Sequence, residues 1–318
     1  MAVELDNNAK RLLILARRFP YNCGEVAAES YLETEIGYLS HYFDDIIVLG
    51  TEAPTDSKVT CSLPDNVRAF ALGCGNTKAD KIIEAVQGIF LRLFGPRYVK
   101  ETFASEYSAD SAKKKAFLNY FVARAYRKKH AIDVILQDTL FEPTHIYSFW
   151  FWDTALDAVW LKQSRPNSLA FVRAHGHDLY EYRSRLAYLP LRDFLLSNLD
   201  WVFPCSLDGE KYIKSKWPNH DNVIRALYLG TCEITDRSHL QTTNRLRLVS
   251  CSRVVPVKRV GLIADALAKL NASGLSIEWT HFGDGVELSE IRRKVIGFSA
   301  VRVHFAGNIP CLLYTSPS

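Results

Sequence analysis

Three short stretches of this chain gather residue types that do chemistry. The first is Ser252-Arg253-Val254-Val255-Pro256-Val257-Lys258-Arg259, set between an apolar run and a helical pattern. A strand-to-helix junction presents free backbone N–H groups and the positive end of the helix dipole, so cations are disfavoured there. Arg253, Lys258 and Arg259 nevertheless crowd it. An anionic ligand resolves the conflict; phosphate is the usual one, met by a two-pronged Arg contact and a Lys point charge. A hydrated basic loop is the alternative. The second stretch is Arg173-Ala174-His175-Gly176-His177-Asp178-Leu179-Tyr180. It follows a β-type run and so falls beyond the carboxyl end of a strand, where open α/β sheets bind ligands. His-x-His-Asp could also hold a metal, but no third ligand stands at a sensible spacing. The third stretch is Gly283-Asp284-Gly285, which by itself signals a tight turn.

The elements that must position these residues alternate between short apolar or β-branched runs and longer helical patterns, the signature of a parallel sheet covered on both faces. Strands are expected at 12–16, 46–49, 67–72, 145–149, 169–173, 201–205 and 223–228. A first helix follows Gly24 with Leu32, Ile36 and Leu39 on one stripe, and longer helices cover 78–94 and 111–129. These elements make one α/β domain over 1–238. The polar stretch 235–244 has linker composition. A second βαβαβ series runs over 246–310. Its strands are expected at 246–251, 277–281 and 301–305, and its helices at 258–270 and 286–296. Val260, Ile263, Leu267 and Leu270 form the first of these helices' buried stripe. About five or six strands complete a doubly wound sheet, so this second domain reads as incomplete, with poor packing expected over 246–310. The tail 311–318, CLLYTSPS, continues no pattern and resembles translated sequencing adapter.

Composition narrows the function classes. The 318 residues carry 39 Lys plus Arg against 35 Asp plus Glu, a formal net charge of +4, which gives a polyanion no strong foothold. The runs Lys113-Lys114-Lys115 and Arg127-Lys128-Lys129 read as solvated helix faces, and nucleic acid is not an expected partner. Seven cysteines without a CxxC pair argue against a disulfide framework and a zinc site, and imply a reducing compartment, hence a cytoplasmic protein. Over 81–100, Ile82, Ile83, Val86, Ile89, Phe90, Leu93 and Phe94 recur beside Lys81, Arg92 and Arg97. That pattern suits a helix buried in a domain interface; its other reading is peripheral contact at the inner face of a membrane.

Taken in order, VSCSRVVPVKRVGLIADAL, IEWTHFGDGVELSEIRRKV and VRVHFAGNIP resemble the opening of the donor-binding domain of family 4 glycosyltransferases. The resemblance extends over nearly the whole chain before residue 311. It implies the GT-B fold, two Rossmann-like doubly wound domains, here with the second incomplete. It implies that Arg253 and Lys258 hold the donor diphosphate and that Gly283 and Gly285 lie near the nucleotide. In the first domain, Phe19-Pro20-Tyr21-Asn22-Cys23-Gly24-Glu25 resembles the family's glycine loop, where Gly24 would let backbone approach a phosphate or sugar. No GxGxxG follows that strand, which disfavours a dinucleotide-dependent oxidoreductase. His175 resembles the family's active-site histidine, and Asp178 and Tyr180 fit the accompanying HGxDxY pattern. The aromatic strand end Tyr147-Ser148-Phe149-Trp150-Phe151-Trp152 matches more loosely and suits core packing as well as sugar binding.

The implied activity is retaining transfer of a hexose from a UDP- or GDP-sugar to a glycan or lipid-linked acceptor in surface polysaccharide assembly, with no cofactor and no metal. The family's paired glutamates, which contact the donor, would fall past the end of this chain, so the chain alone is expected to be inactive. A non-catalytic nucleotide-sugar- or phosphate-binding protein of the same fold is the competing expectation.

Overall fold

A computed structural model describes residues 9–21, 29–75, 77–106, 108–230 and 245–308. The chain divides into two compact units, Met1–Cys232 and Glu233–Ser318. Gly24, the polar stretch 235–244 and the tail 311–318 lie outside the described residues.

In the first unit the order is β1 (Arg11–Ala16), α1 (Ser30–Leu39), β2 (Asp45–Gly50), β3 (Val67–Ala71), α2 (Lys78–Phe94), α3 (Arg97–Ala104), α4 (Ala112–Asp138), β4 (His145–Ser148), α5 (Asp153–Ser164), β5 (Leu169–Ala174), α6 (Gly176–Leu179), α7 (Arg192–Asn198), β6 (Trp201–Pro204) and α8 (Leu207–Lys216). All six strands are parallel and lie in the order β3-β2-β1-β4-β5-β6. β1 and β2 are near-continuous apolar runs because both sheet faces are covered. Leu12, Ile14, Ile46 and Val48 pack with Leu32 and Ile36 of α1 on one face. Leu13, Leu15, Ile47 and Leu49 pack on the other with Phe121 and Val122 of α4 and Leu156 and Trp160 of α5. The sheet is therefore doubly wound.

The second unit follows the order β7 (Leu246–Cys251), α9 (Gly261–Asn271), β8 (Ile277–Phe282), α10 (Leu288–Val295) and β9 (Val301–Gly307). Its three strands are parallel, in the order β7-β8-β9. Trp279, Ile277 and Val301 pack against Ala264 and Leu267 of α9 and Ile291 of α10, so this small unit has a closed core on its helical face. Poor packing shows at β7, an edge strand with Leu246 and Val249 exposed.

Several expectations need correction. Residues 223–228 form no strand: Pro218–Val223 is a 3-10 turn, and the segment beyond it lies beside β6 through Arg225 N–H to the Val202 carbonyl (3.1 Å) and Leu227 N–H to the Pro204 carbonyl (2.9 Å). The helix expected from Lys258 begins at Gly261, because Pro256 opens a separate 3-10 turn that Arg259 ends in the left-handed region at φ 52°. Ala264, rather than the exposed Leu270, completes its buried stripe. The run 127–129 is no solvated face. Lys128 is fully buried and ion-paired with Asp153 (2.9 Å), and Arg127 pairs with Glu84 (2.5 Å). The apolar stripe of α2, expected to be buried, is exposed from Ile82 to Phe94.

Candidate functional site

Strand order reverses between β1 and β4, and in open α/β sheets the crevice outside the carboxyl ends at such a point receives ligands. What the chain places there starts with Glu29. Its carboxylate accepts the backbone N–H groups of Arg17 (2.7 Å), Arg18 (3.1 Å) and Phe19 (2.6 Å), three successive donors beyond β1. It also accepts the indole N–H of Trp150 (2.9 Å), just past β4. The Ser148 hydroxyl donates to the Trp150 carbonyl (2.7 Å) and tightens the same turn. Trp150 is thereby held against His175, ring centroids 4.3 Å apart, and against His177 at 4.8 Å. Phe149 closes on His175 from 4.9 Å.

Asp178 explains why β5 ends as it does. Fully buried, it takes the His175 N–H on Oδ1 (2.6 Å) and the Phe151 N–H on Oδ2 (2.8 Å), tying the loops after β4 and β5 to one carboxylate. Arg192 covers it from below, its Nη2 donating to the Asp178 carbonyl (2.5 Å) while its guanidinium lies over the Phe151 ring at 3.8 Å. Asp178 thus acts through the backbone it holds. Tyr180, the last residue of the motif, donates its hydroxyl to Asp208 (2.7 Å).

His175 is the poised group. Both ring nitrogens are buried with no hydrogen-bond partner among the described residues, and Nδ1 stands 3.8 Å from Asp178 Oδ2, too far for a hydrogen bond. Burial lowers its pKa, but the Asp178 carboxylate, with Cys205 beside it, outweighs burial and holds the imidazole up at about 9. An imidazole that the neighbouring Asp178 carboxylate holds toward its protonated form suits donation to an incoming oxygen rather than proton abstraction. Among the described residues no three metal-ligating side chains converge.

Sequence reading missed the charges behind this surface. Arg173 donates to the Tyr147 hydroxyl (2.8 Å), to Glu35 (2.8 Å) and to the Leu227 carbonyl (3.0 Å), joining β4, β5, α1 and the segment after β6. Arg124 bridges Glu52 and Asp153 at 2.5 Å each, and Glu52 also takes Arg17 (2.8 Å). Asp157 is fully buried without a hydrogen-bond partner among the described residues, and burial pushes its pKa well above the carboxylate range. No local pattern marks these residues' roles, since their partners are 26 to 138 positions away along the chain.

In the second unit the loops after β7 and β8 are knitted together. Val254 N–H donates to the Asp284 carbonyl (2.9 Å) and Glu287 N–H to the Val254 carbonyl (3.2 Å). Gly283 and Gly285 permit this approach. A Cβ at Gly283, whose φ is +131°, would meet the Ser252 carbonyl oxygen at 2.0 Å, and one at Gly285 the Val254 carbonyl oxygen at 2.2 Å. His281, also missed, fixes the loop from beneath. Trp279 Nε1 donates to Ser250 Oγ (2.8 Å), which pairs with His281 Nδ1 (2.8 Å), leaving Nε2–H to donate to the Ser252 carbonyl (3.1 Å). Burial lowers the pKa of His281, in keeping with a neutral ring. On this braced loop Arg253 and Lys258 are exposed, and their side chains make no hydrogen bond or ion pair among the described residues. Arg259 instead lines a cleft of about 330 Å³ between α9 and α10, with Asp265, Glu287 and Lys294.

No protein-family model matches the chain, and no curated protein matches it in sequence. Solved structures do. The lipopolysaccharide outer core galactosyltransferase WaaB in its apo form matches over 96% of this chain and 70% of its own, at TM-score 0.51 and 11% identity. The catalytic domain of starch synthase IV from Arabidopsis thaliana, bound to ADP and acarbose, matches over 96% and 76%, at TM-score 0.55 and 11% identity. The N-terminal domain of trehalose-6-phosphate phosphatase from Candida albicans matches over 96% and 74%, at TM-score 0.57 and 12% identity. At such identities the likeness establishes the fold: α/β with parallel sheets, of the GT-B glycosyltransferase type.

Proposed function

We propose that the protein binds a nucleotide-sugar, UDP- or GDP-linked, and transfers its hexose to a glycan or lipid-linked acceptor with retention of anomeric configuration, working in the cytoplasm on surface polysaccharide. The observation that carries this reading is His175: an imidazole with buried ring nitrogens, pinned through its backbone by Asp178 and walled by Trp150 and Phe149, where a sheet of this topology receives ligands. In the reaction the bond from the anomeric carbon to the distal phosphate oxygen breaks, and the nucleoside diphosphate leaves. The acceptor oxygen bonds to that carbon on the same face, and its proton passes to the departing phosphate oxygen. His175 donates a hydrogen bond to a hydroxyl of the donor sugar, Asp178 positions it, and Trp150 offers a face to the ring. Arg253 and Lys258 take up charge on the diphosphate without a metal, and Gly283 and Gly285 keep their loop in place near the nucleotide. Gly24 is assigned to the same donor.

The test follows the ring resonances of His175 by NMR. Saturating UDP-glucose or GDP-mannose shifts them, whereas UDP or GDP alone leaves them in place. Absence of a shift with every nucleotide-sugar contradicts the assignment.

A further inference from the structure

We propose that the exposed face of α2 docks the protein on an anionic lipid bilayer. The helix is amphipathic the wrong way round for a member of a core. Toward α4 it turns its small and polar residues: Gly88, whose missing Cβ would meet the Asn119 carbonyl oxygen at 2.3 Å, and the buried Glu84, paired with Arg127. Away from α4 it presents Ile82, Val86, Ile89, Phe90, Leu93 and Phe94, each about half or more exposed, with Phe94 at 79%. Their spacing keeps them on one stripe of a 17-residue helix about 25 Å long. An apolar stripe of that length is larger than isolated surface hydrophobics require. A groove of about 540 Å³ between α2 and α4, reached past Phe90 and walled by Leu91 and Tyr126, extends it inward.

Charge selects the occupant. Lys81 and Arg92 on one flank of α2, and Lys100 of α3, are exposed without an acidic partner among the described residues. The antiparallel fit of α2 on α4, Glu84 to Arg127 and Gly88 to Asn119, carries the exposed Lys113 and Lys115 toward the same end as Phe94. The acids of this surface are spent: Asp80 caps α2 with Thr77, Glu84 is buried, and Glu101 pairs with Arg97 (2.7 Å). An apolar ridge flanked by unpaired cations is complementary to lipid tails beneath anionic headgroups, and such helices lie in the interface plane. Among the described residues no helix is long and apolar enough to cross a membrane.

The inference stands apart from the transfer reading and is tested without donor or acceptor. Full-length protein is sedimented with vesicles of phosphatidylglycerol and phosphatidylcholine in equal parts, and with phosphatidylcholine alone. It is expected to pellet with the anionic vesicles and to lose affinity as salt rises. The Phe90→Ser, Phe94→Ser double variant loses about tenfold or more, and Lys81→Gln, Lys100→Gln about fivefold per cation, with circular dichroism and melting unchanged. No pelleting, or pelleting that these substitutions leave unaltered, overturns the proposal. So does a dimer in sedimentation velocity that the phenylalanine variant dissolves while the wild type ignores vesicles, since the partner is then a second copy of the chain.

Discussion

Replacing Asp178 by Asn separates two jobs that this carboxylate performs. As a hydrogen-bond acceptor it takes two backbone N–H groups, from His175 and Phe151. An amide keeps one acceptor and turns an N–H₂ toward the other donor, a loss of about 2 kcal/mol for a charge-assisted bond. As a charge it joins Cys205 in holding the His175 pKa up from 6.5 to about 9, a shift worth about 3 kcal/mol in the folded state at 1.36 kcal/mol per unit, of which Asp178 supplies a part. Because the folded pKa is raised, that second contribution is present in full below about pH 6.5 and is lost as pH rises through about 9. The variant should therefore cost more at pH near 6, up to about 5 kcal/mol, than at pH near 9.5, where about 2 kcal/mol remains. Urea denaturation of both proteins at the two pH values measures the difference, and titration of the His175 ring by NMR should show its midpoint falling by at least about one unit. Equal destabilisation at both pH values, with an unmoved His175 midpoint, would refute the coupling.

Ala at Gly283 or Gly285 should cost about 2–3 kcal/mol by driving a methyl into backbone carbonyls, accelerating hydrogen exchange in β7 to β9 while β1 to β6 stay protected. Uniform acceleration throughout the chain would contradict that local cause. Asp157→Asn removes a buried carboxyl whose pKa is raised, a group whose stabilising form is the protonated one and is lost as pH rises. The variant should be more stable than the wild type by about 1 kcal/mol or more at neutral pH and equal to it at pH near 3; a loss of stability confined to neutral pH would show that the ionised form has a partner.

Much of the first sheet was legible because its inner strands, covered on both faces, are written as unbroken apolar runs: β1 and β2 fall within one residue of the expected bounds. α2 was found to the residue, marked by its periodicity. Residues 223–228 misled because an extended apolar segment looks like a strand whether or not it gains a full ladder. The basic run at 127–129 misled for a different reason: whether a helical cation is solvated or buried depends on distant acids such as Glu84 and Asp153, which the local pattern cannot supply. The HGxDxY stretch, expected beyond the strand at 169–173, lies just past β5. The roles of Glu29, Arg173 and His281, whose partners come from other elements, became visible only in three dimensions.

The central claim, that Arg253 and Lys258 receive a nucleotide-sugar's diphosphate, is met most directly by calorimetry. UDP, GDP and their hexose conjugates are titrated into the full chain and into an Arg253→Ala, Lys258→Ala variant. Both side chains are exposed and unpaired among the described residues, so the variant should melt like the wild type. Binding of one nucleotide series by the wild type, lost in the variant, is the expected result. Binding that the variant retains, or no binding of either series, would contradict the claim.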